Sequence, residues 1–235
     1  MINDLNELLP EHKTYVEVLG GRGDFLFRKP PGQIEVYNDI DSTVNLLFEV
    51  LRNEKKRKQL IEKMSNFQSS KEELETGDWR EEENEMEKVK KFALDIMKMM
   101  SSVDNRVWNY KFESSRRNVA DIMEQANEDF IYAITRLRDI QIENLDIERC
   151  INKYDNESTI FCVNTLAREY NQVKLISLIK LLADIKGDCL LIGEENEIFK
   201  KLKELNWNIL EVEDYILDKD DKFNVWINYK SSVRI

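Results

Sequence analysis

The sequence is poor in the residues that build metal sites and disulfide frameworks. It contains one histidine, His12, and three cysteines, Cys150, Cys162 and Cys189, which lie apart in apolar segments. A metal site would need ligands at closer spacing, so we expect no metal site and predict that the cysteines are buried, reduced thiols. No apolar run reaches the roughly 18 residues that cross a bilayer, and the N-terminus lacks a signal peptide. These absences predict a cytoplasmic protein.

Basic residues are too few to balance the acidic ones. The formal net charge is −11, whereas DNA-binding proteins usually carry a basic surface. The field of the whole chain would slow its approach to DNA, so DNA binding is disfavoured. Acidic residues concentrate in residues 71–88, where nine acids stand against three bases. This run predicts an exposed acidic loop entering a helix or, alternatively, a surface that meets a basic partner or imitates the charge of DNA.

Proline and glycine are also scarce, and their placement is uneven. The last of the three prolines is Pro31, and three of the seven glycines (Gly20, Gly21 and Gly23) share one turn directly after an apolar strand. Glycine tolerates positive φ and lets a ligand approach the bare backbone. Nucleotide-binding α/β folds present backbone N–H groups to a cofactor in such a turn. The turn is therefore a candidate binding element.

The remaining pattern indicates an α/β protein. A short helix and a second strand at residues 34–37 follow the glycine turn, and Asp39 comes next, where a carboxylate can accept hydrogen bonds from both hydroxyls of a ribose. Further strands are predicted at residues 139–144, 158–163, 189–192, 208–212 and 224–229, and helices at residues 42–64, 147–154, 166–185 and 196–205. Strands that alternate with helices imply a mostly parallel sheet covered on both faces. The last two strands are predicted to pair antiparallel.

Several of these segments resemble one enzyme family. The run VEVLGGRGDFLFRKPP…IEVYNDID resembles the start of the D12-class (Dam-like) adenine-N6 DNA methyltransferases, and the resemblance continues in RLRDIQIENLDIERCINKYDNESTIFCV, in IKGDCLLIGEENEIFKKL and in the terminal VWINY. It implies a Rossmann-like methyltransferase sheet with an inserted helical subdomain. Residues 1–50 and 130–235 would form the methyltransferase-like domain. Residues 51–129 would form the helical insertion, at the position of a target-recognition region.

The resemblance also implies a site for S-adenosylmethionine. It assigns contacts with the cofactor to the glycine turn and to two acids that follow later strands: Leu19, Gly20, Gly21, Gly23, Asp39 and Asp146. Two features count against binding. Arg22 and Asp24 replace smaller loop residues, and residues 1–13 lack the W-x-G-G-K-like segment that contacts the cofactor in relatives. The sequence leaves open whether S-adenosylmethionine still binds.

The catalytic motif of the family is degraded. In relatives, the strand corresponding to residues 159–163 leads into [Asp/Asn/Ser]-Pro-Pro-[Tyr/Phe/Trp], which accepts the N6 hydrogen bonds of a flipped adenine and stacks on its ring. This chain has Asn164-Thr165-Leu166-Ala167 there. Asn164 keeps an acceptor oxygen, but Ala167 has no stacking face, and a helix starting at Leu166 would leave little loop to enclose a substrate. We therefore expect methyl transfer to be lost, with Asn164 as the remnant of the catalytic site.

One segment of the insertion combines basic and aromatic residues. In residues 103–118, four basic residues alternate with aromatic ones, a pattern that suits phosphate contact and base stacking but also an ordinary loop and core. The basic residues are Arg106, Lys111, Arg116 and Arg117. They are the candidates for DNA contact.

Three functions follow from these features. The first is a catalytically inactive methyltransferase-like protein that regulates or binds a protein partner, such as an active methyltransferase or a second copy, in a phage or restriction-modification context. The second is an active S-adenosylmethionine-dependent N6-adenine DNA methyltransferase with an atypical Asn164 site. The third is a DNA-binding module without chemistry, which the net charge disfavours.

Overall fold

Seven apolar segments form the strands of one sheet. A computed structural model of the chain describes residues 5–21, 23–65, 84–90, 135–166, 170–194, 196–211 and 223–230. The strands are β1 (Thr14–Glu17), β2 (Ile34–Asn38), β3 (Ile140–Glu143), β4 (Thr159–Asn164), β5 (Asp188–Glu194), β6 (Asn208–Glu211) and β7 (Phe223–Ile227). The predicted strands are confirmed, and their ends lie within two residues of the predicted ones.

The sheet is mixed and mostly parallel. Its strand order is β3-β2-β1-β4-β5-β7-β6. The first five strands in this order pair parallel, whereas β7 runs antiparallel to both β5 and β6. The predicted α/β class and the antiparallel last pair are therefore confirmed. This strand order is consistent with a Rossmann-like methyltransferase fold.

Short helices connect most of the strands. The α-helices are α1 (Asp24–Arg28), α2 (Ser42–Arg52), α3 (Glu54–Ser65), α4 (Ile147–Tyr154) and α5 (Gln172–Ala183), and residues 85–90 and 135–137 are also helical. Leu5–Leu8 and Phe199–Leu205 are 3-10 helices. The prediction of a helix at residues 196–205 is thus right in place, but the tighter 3-10 form begins at Phe199.

The prediction of one helix at residues 42–64 is wrong. The helix is interrupted at Asn53, which lies between α2 and α3. The Asn53 side-chain oxygen accepts a hydrogen bond from Lys56 N at 3.0 Å. Asparagine is among the residues preferred at a helix N-terminus, because its oxygen satisfies a backbone N–H that the first turn leaves unpaired. The cap therefore starts a second helix within a region whose apolar spacing suggested only one.

The predicted start of the helix after β4 is also wrong. Leu166 lies in a turn, and α5 begins at Gln172. The Asn171 side chain caps α5 by accepting a hydrogen bond from Lys174 N at 2.9 Å. The connection from β4 to α5 is therefore longer than predicted, and the absence of an enclosing loop no longer argues against catalysis. Ala167 lies outside the described residues.

The hydrophobic core covers one face of the sheet. Register places Val16, Val36, Phe161 and Cys189 side by side on β1, β2, β4 and β5. These residues pack in one buried cluster with side chains from α4, α5 and the 3-10 helix Phe199–Leu205. The cluster provides the hydrophobic stabilisation that holds the strand ends in place.

The opposite face of β1 and β2 is polar although it is buried. Tyr15 and Glu17 on β1 lie beside Glu35 and Tyr37 on β2. Lys29 reaches this face, where its Nζ lies 2.5 Å from a Glu35 carboxylate oxygen and 4.7 Å from the centre of the Tyr15 ring. Because a buried charge is tolerated when it is paired, this ion pair explains how two charged side chains lie inside the fold.

The chain divides into two compact units, Met1–Asp41 with Ile140–Ile235, and Ser42–Asp139. The first unit contains the described strands. In the second, Arg52 Nε donates a hydrogen bond to Leu137 O at 2.9 Å. The predicted domain boundaries stay predictions, since residues 66–83 and 91–134 lie outside the described part of the chain. Within that part, no helix is both long and apolar enough to cross a membrane.

Candidate functional site

The predicted cofactor and catalytic residues lie along one edge of the sheet. Because β3, β2, β1 and β4 are parallel, their carboxyl ends meet at the same edge. The glycine turn follows β1, Asp39 follows β2, Asp146 precedes α4 after β3, and Asn164 is the last residue of β4. In open α/β sheets, ligands bind outside the carboxyl ends of the strands. The fold therefore brings the predicted residues to the edge where a ligand site is expected.

Asn38 ties three of these strand ends together. Its Nδ2 donates to Val18 O at 2.8 Å and to Leu145 O at 3.1 Å, and its Oδ1 accepts from Leu145 N at 2.8 Å. The side chain is 1% exposed. The buried Asn38 amide thus satisfies backbone polar groups just beyond β1 and β3, and it holds the carboxyl ends of β1, β2 and β3 together. Sequence reasoning missed this role, although the Asn38-Asp39 pair after an apolar strand was the available signal.

The glycine turn is compact and largely buried. Gly23 N donates to Gly20 O at 2.8 Å, and Gly21 and Gly23 have φ values of 50° and 76°. These left-handed values favour glycine. Gly20 has a different constraint, because an added Cβ would overlap the buried ring of Tyr37. Leu19 is 6% exposed, and Gly20 and Gly23 are also buried, whereas Gly21 is partly exposed.

Asp39 holds the glycine turn to the end of β2. Its Oδ2 accepts a hydrogen bond from Gly21 N at 2.8 Å, and its Oδ1 accepts one from Asp41 N at 2.7 Å. The carbonyl oxygen of Asp39 accepts from Asn144 Nδ2 at 2.8 Å. Tyr37 adds a second connection, because its hydroxyl donates to Gly21 O. The carboxylate and the phenol thus bind both polar groups of the Gly21 backbone.

This arrangement does not fit a ribose contact by Asp39. Both carboxylate oxygens accept hydrogen bonds from the chain's own N–H groups, and the residue is 1% exposed. Each oxygen keeps a second lone pair, but the hydroxyl groups of a ribose would have to reach a carboxylate that is buried and already holds Gly21 N. The assignment of Asp39 to S-adenosylmethionine stays a prediction, and it requires a conformation in which the turn has moved away.

Asp146 serves as the cap of α4. Its Oδ1 accepts a hydrogen bond from Arg149 N at 2.9 Å, and the residue is exposed. An acidic N-cap both satisfies an unpaired backbone donor and suits the positive end of the helix dipole. This structural role is sufficient to explain an acid here. Its predicted contact with the adenine of a cofactor stays a prediction.

The end of β4 is closed by contacts within the chain. The Asn164 side-chain oxygen accepts from Leu166 N at 3.1 Å. Both the backbone N–H and the hydroxyl of Thr165 donate to Ile192 O, at 2.9 and 2.8 Å. Thr165 is 7% exposed and lies against Gly193, where an added Cβ would be 2.5 Å from its hydroxyl oxygen. The polar groups at the catalytic position therefore bind the protein itself.

A buried carboxylate on β1 also escaped prediction. Glu17 is 2% exposed, and its Oε2 accepts from Leu26 N at 2.7 Å and from the Tyr15 hydroxyl at 3.1 Å. Burial raises the pKa of Tyr15 well above its ordinary value, with Cys162 and Glu17 adding to the shift. The signal in the sequence was an acid inside an apolar strand. Glu17 fastens the start of α1 to β1.

The thiols have the predicted environment. Cys150, Cys162 and Cys189 are free and buried. Burial raises the pKa of the Cys150 thiol to about 12, which makes it a poor nucleophile at neutral pH. No group of three or more His, Cys, Asp or Glu side chains among the described residues is arranged to hold a metal ion.

The predicted DNA-contact residues cannot be placed at this edge. Arg106, Lys111, Arg116 and Arg117 lie outside the described residues, as does Arg22 in the glycine turn. Their roles stay predictions.

Comparison with known proteins finds no family model and no curated protein that matches this chain. The described strands form a seven-stranded, Rossmann-like α/β sheet. At its carboxyl edge, the side chains of Asp39, Asn164 and Thr165 form hydrogen bonds with the protein's own backbone.

Proposed function

We propose that this chain is an adenine methyltransferase-like protein that no longer transfers methyl groups and that acts by binding a protein partner. The observation that carries the proposal is the end of β4. There the Asn164 side-chain oxygen accepts a hydrogen bond from Leu166 N, and the Thr165 hydroxyl donates one to Ile192 O. The resemblance of the sequence to adenine methyltransferases is the reason for naming methyl transfer as the lost activity, and the strand order is consistent with that resemblance.

The chemistry of adenine N6 explains why this arrangement matters. The N6 lone pair is delocalised into the ring, so an enzyme has to accept the N–H bonds with fixed oxygens while the base is held out of the duplex. In this chain, the Thr165 side chain is buried and binds the neighbouring strand, and the two prolines that stiffen the motif in relatives are absent. A site whose acceptors are held less rigidly loses part of the benefit of positioning, which is a large part of catalysis.

Charge supports a protein partner over DNA. At the carboxyl edge of the first unit, acidic residues follow three strands: Asp41 after β2, Asp146 after β3 and Glu194 at the end of β5. Together with the net charge of −11, they oppose the approach of phosphates and suit a basic protein surface. The partner we propose is a protein of a phage or restriction-modification system, such as an active methyltransferase. A second copy of this chain carries the same negative charge and is the partner that this argument supports least.

A methyl-transfer assay tests the loss of activity. Purified protein is incubated with duplex DNA and S-adenosylmethionine that carries a labelled methyl group, beside an active adenine methyltransferase as positive control. We expect no label in the DNA. Label that appears with this chain and disappears in Asn164→Ala would refute the proposal. Light scattering after size exclusion, with and without an active methyltransferase, then tests the two named partners.

One observation favours a second candidate, an active N6-adenine methyltransferase with an atypical site. Asn164 stands at the carboxyl end of β4, and its side-chain oxygen has a second lone pair besides the one used by Leu166 N. An amide oxygen can accept a hydrogen bond from adenine N6. The same assay separates the two candidates, because only this one requires labelled DNA whose signal depends on Asn164.

A further inference from the structure

Two side chains of the first unit bind the two backbone polar groups of Gly21 in the glycine turn. Asp39 accepts a hydrogen bond from Gly21 N, and Tyr37 donates one to Gly21 O. A third contact pins the preceding residue, because Gly20 packs directly against the Tyr37 ring, leaving no room for a Cβ. Gly20 N also donates to Asn38 O at 2.8 Å. The turn is therefore fastened to β2 at consecutive positions.

We propose that Tyr37 and Asp39 form an autoinhibitory latch, in which the glycine turn itself fills the place that the ribose of a nucleotide would take beside β2. The inference uses the proposed function only in taking this edge for a former cofactor site. An acid after the second strand binds ribose in related sheets when its carboxylate faces the ligand. Here the carboxylate faces Gly21 instead and is 1% exposed.

The latch differs from a ligand-binding glycine turn because its backbone N–H group already has a hydrogen-bond partner in the protein. A glycine turn that receives a nucleotide leaves its N–H groups free to face the ligand. In this chain, the Gly21 N–H is occupied by Asp39, and each carboxylate oxygen already accepts one hydrogen bond from a backbone donor. Tyr37, which is fully buried, cannot swing into solvent without emptying its place in the interior. A ligand would have to displace three hydrogen bonds and a packed ring before it could bind.

Amide hydrogen exchange of Gly21, measured by NMR on the full chain, tests the latch directly. Tyr37→Phe removes one hydrogen bond from the turn and Asp39→Asn weakens another. Each should accelerate exchange of the Gly21 amide about three- to tenfold, the factor expected for one hydrogen bond. Amides of β5 serve as the reference for global unfolding and should exchange more slowly than the Gly21 amide in every variant, which shows that Gly21 exchanges by local opening. Tyr154→Phe is the matched control, because its hydroxyl binds the Glu143 side chain at 2.6 Å, on β3 rather than on the glycine turn.

The outcomes separate cleanly. Faster exchange at Gly21 in both latch variants but not in Tyr154→Phe, with no change of the wild-type Gly21 amide on adding millimolar S-adenosylmethionine, supports the latch. Unchanged exchange in the latch variants overturns it. A change of the wild-type Gly21 amide on adding S-adenosylmethionine also overturns it, because the site would then be open to the ligand. That last result without methyl transfer would leave the proposed function standing.

Discussion

Replacing Gly20 by alanine tests the packing on which the closed turn depends. The new Cβ would overlap the ring of Tyr37, whose side chain is 0% exposed and so has no free direction in which to move. Overpacking of this kind costs about 1–3 kcal/mol. If the ring shifts, the hydrogen bond from Tyr37 to Gly21 O is lost as well, at about 1 kcal/mol. Alanine also restricts the unfolded chain, which offsets about 0.4–1 kcal/mol. We expect the free energy of unfolding to fall by about 2 kcal/mol.

Gly21→Ala is the matched control for this experiment. Gly21 has a φ of 50°, but an added Cβ would meet nothing within 4 Å. Its cost is therefore the backbone strain alone, about 1–2 kcal/mol, less the same gain in the unfolded state. Urea unfolding followed by circular dichroism measures both variants. If Gly21→Ala is as destabilising as Gly20→Ala, the glycine at position 20 is required for a reason other than the Tyr37 ring, and the packing argument fails.

Three further predictions concern buried groups of the first unit. Gly193→Ala should lower the urea midpoint, because its Cβ would lie 2.5 Å from the Thr165 hydroxyl oxygen, at a cost of about 1–3 kcal/mol. Lys29→Met should cost about 3–5 kcal/mol, since it leaves the Glu35 carboxylate buried without the cation 2.5 Å away. Burial raises the pKa of the Cys150 thiol from about 9 to about 12, so the folded chain keeps a proton that the unfolded chain releases. The contribution of this thiol to the free energy of unfolding is complete below about pH 9 and is lost as the pH rises toward 12. Urea midpoints of wild type and Cys150→Ala, compared at both ends of this pH range, measure that loss.

Each of these has a result that would contradict it. Lys58→Met removes a cation from a fully exposed pair with Glu54 and should leave the midpoint unchanged, so an equal loss in Lys29→Met and Lys58→Met would refute the role of burial. A Gly193→Ala protein as stable as wild type would mean that the Thr165 hydroxyl is free to move. A wild-type midpoint that tracks Cys150→Ala across the alkaline range would show that the thiol does not contribute.

Much of the fold could be predicted because the strands have strong local signals. Apolar runs such as residues 159–163 must be buried on both faces, and the helices between them leave few other arrangements than a parallel sheet. Helix ends were predicted less well. The start of α3 after Asn53 and the start of α5 after Asn171 are each marked by one capping hydrogen bond. Apolar spacing carries no information about such a bond.

The candidate site divides in the same way. Residue order is enough to predict that a glycine turn and an acid follow two neighbouring strands, because parallel strands end at one edge. The groups to which they bind follow from the folded arrangement of the strands. Asp39 turns to Gly21 N, and Thr165 to Ile192 O, across 18 and 27 residues of sequence. Hydrogen bonds over such separations depend on where the strands place each backbone group, and no local pattern of residues encodes that distance.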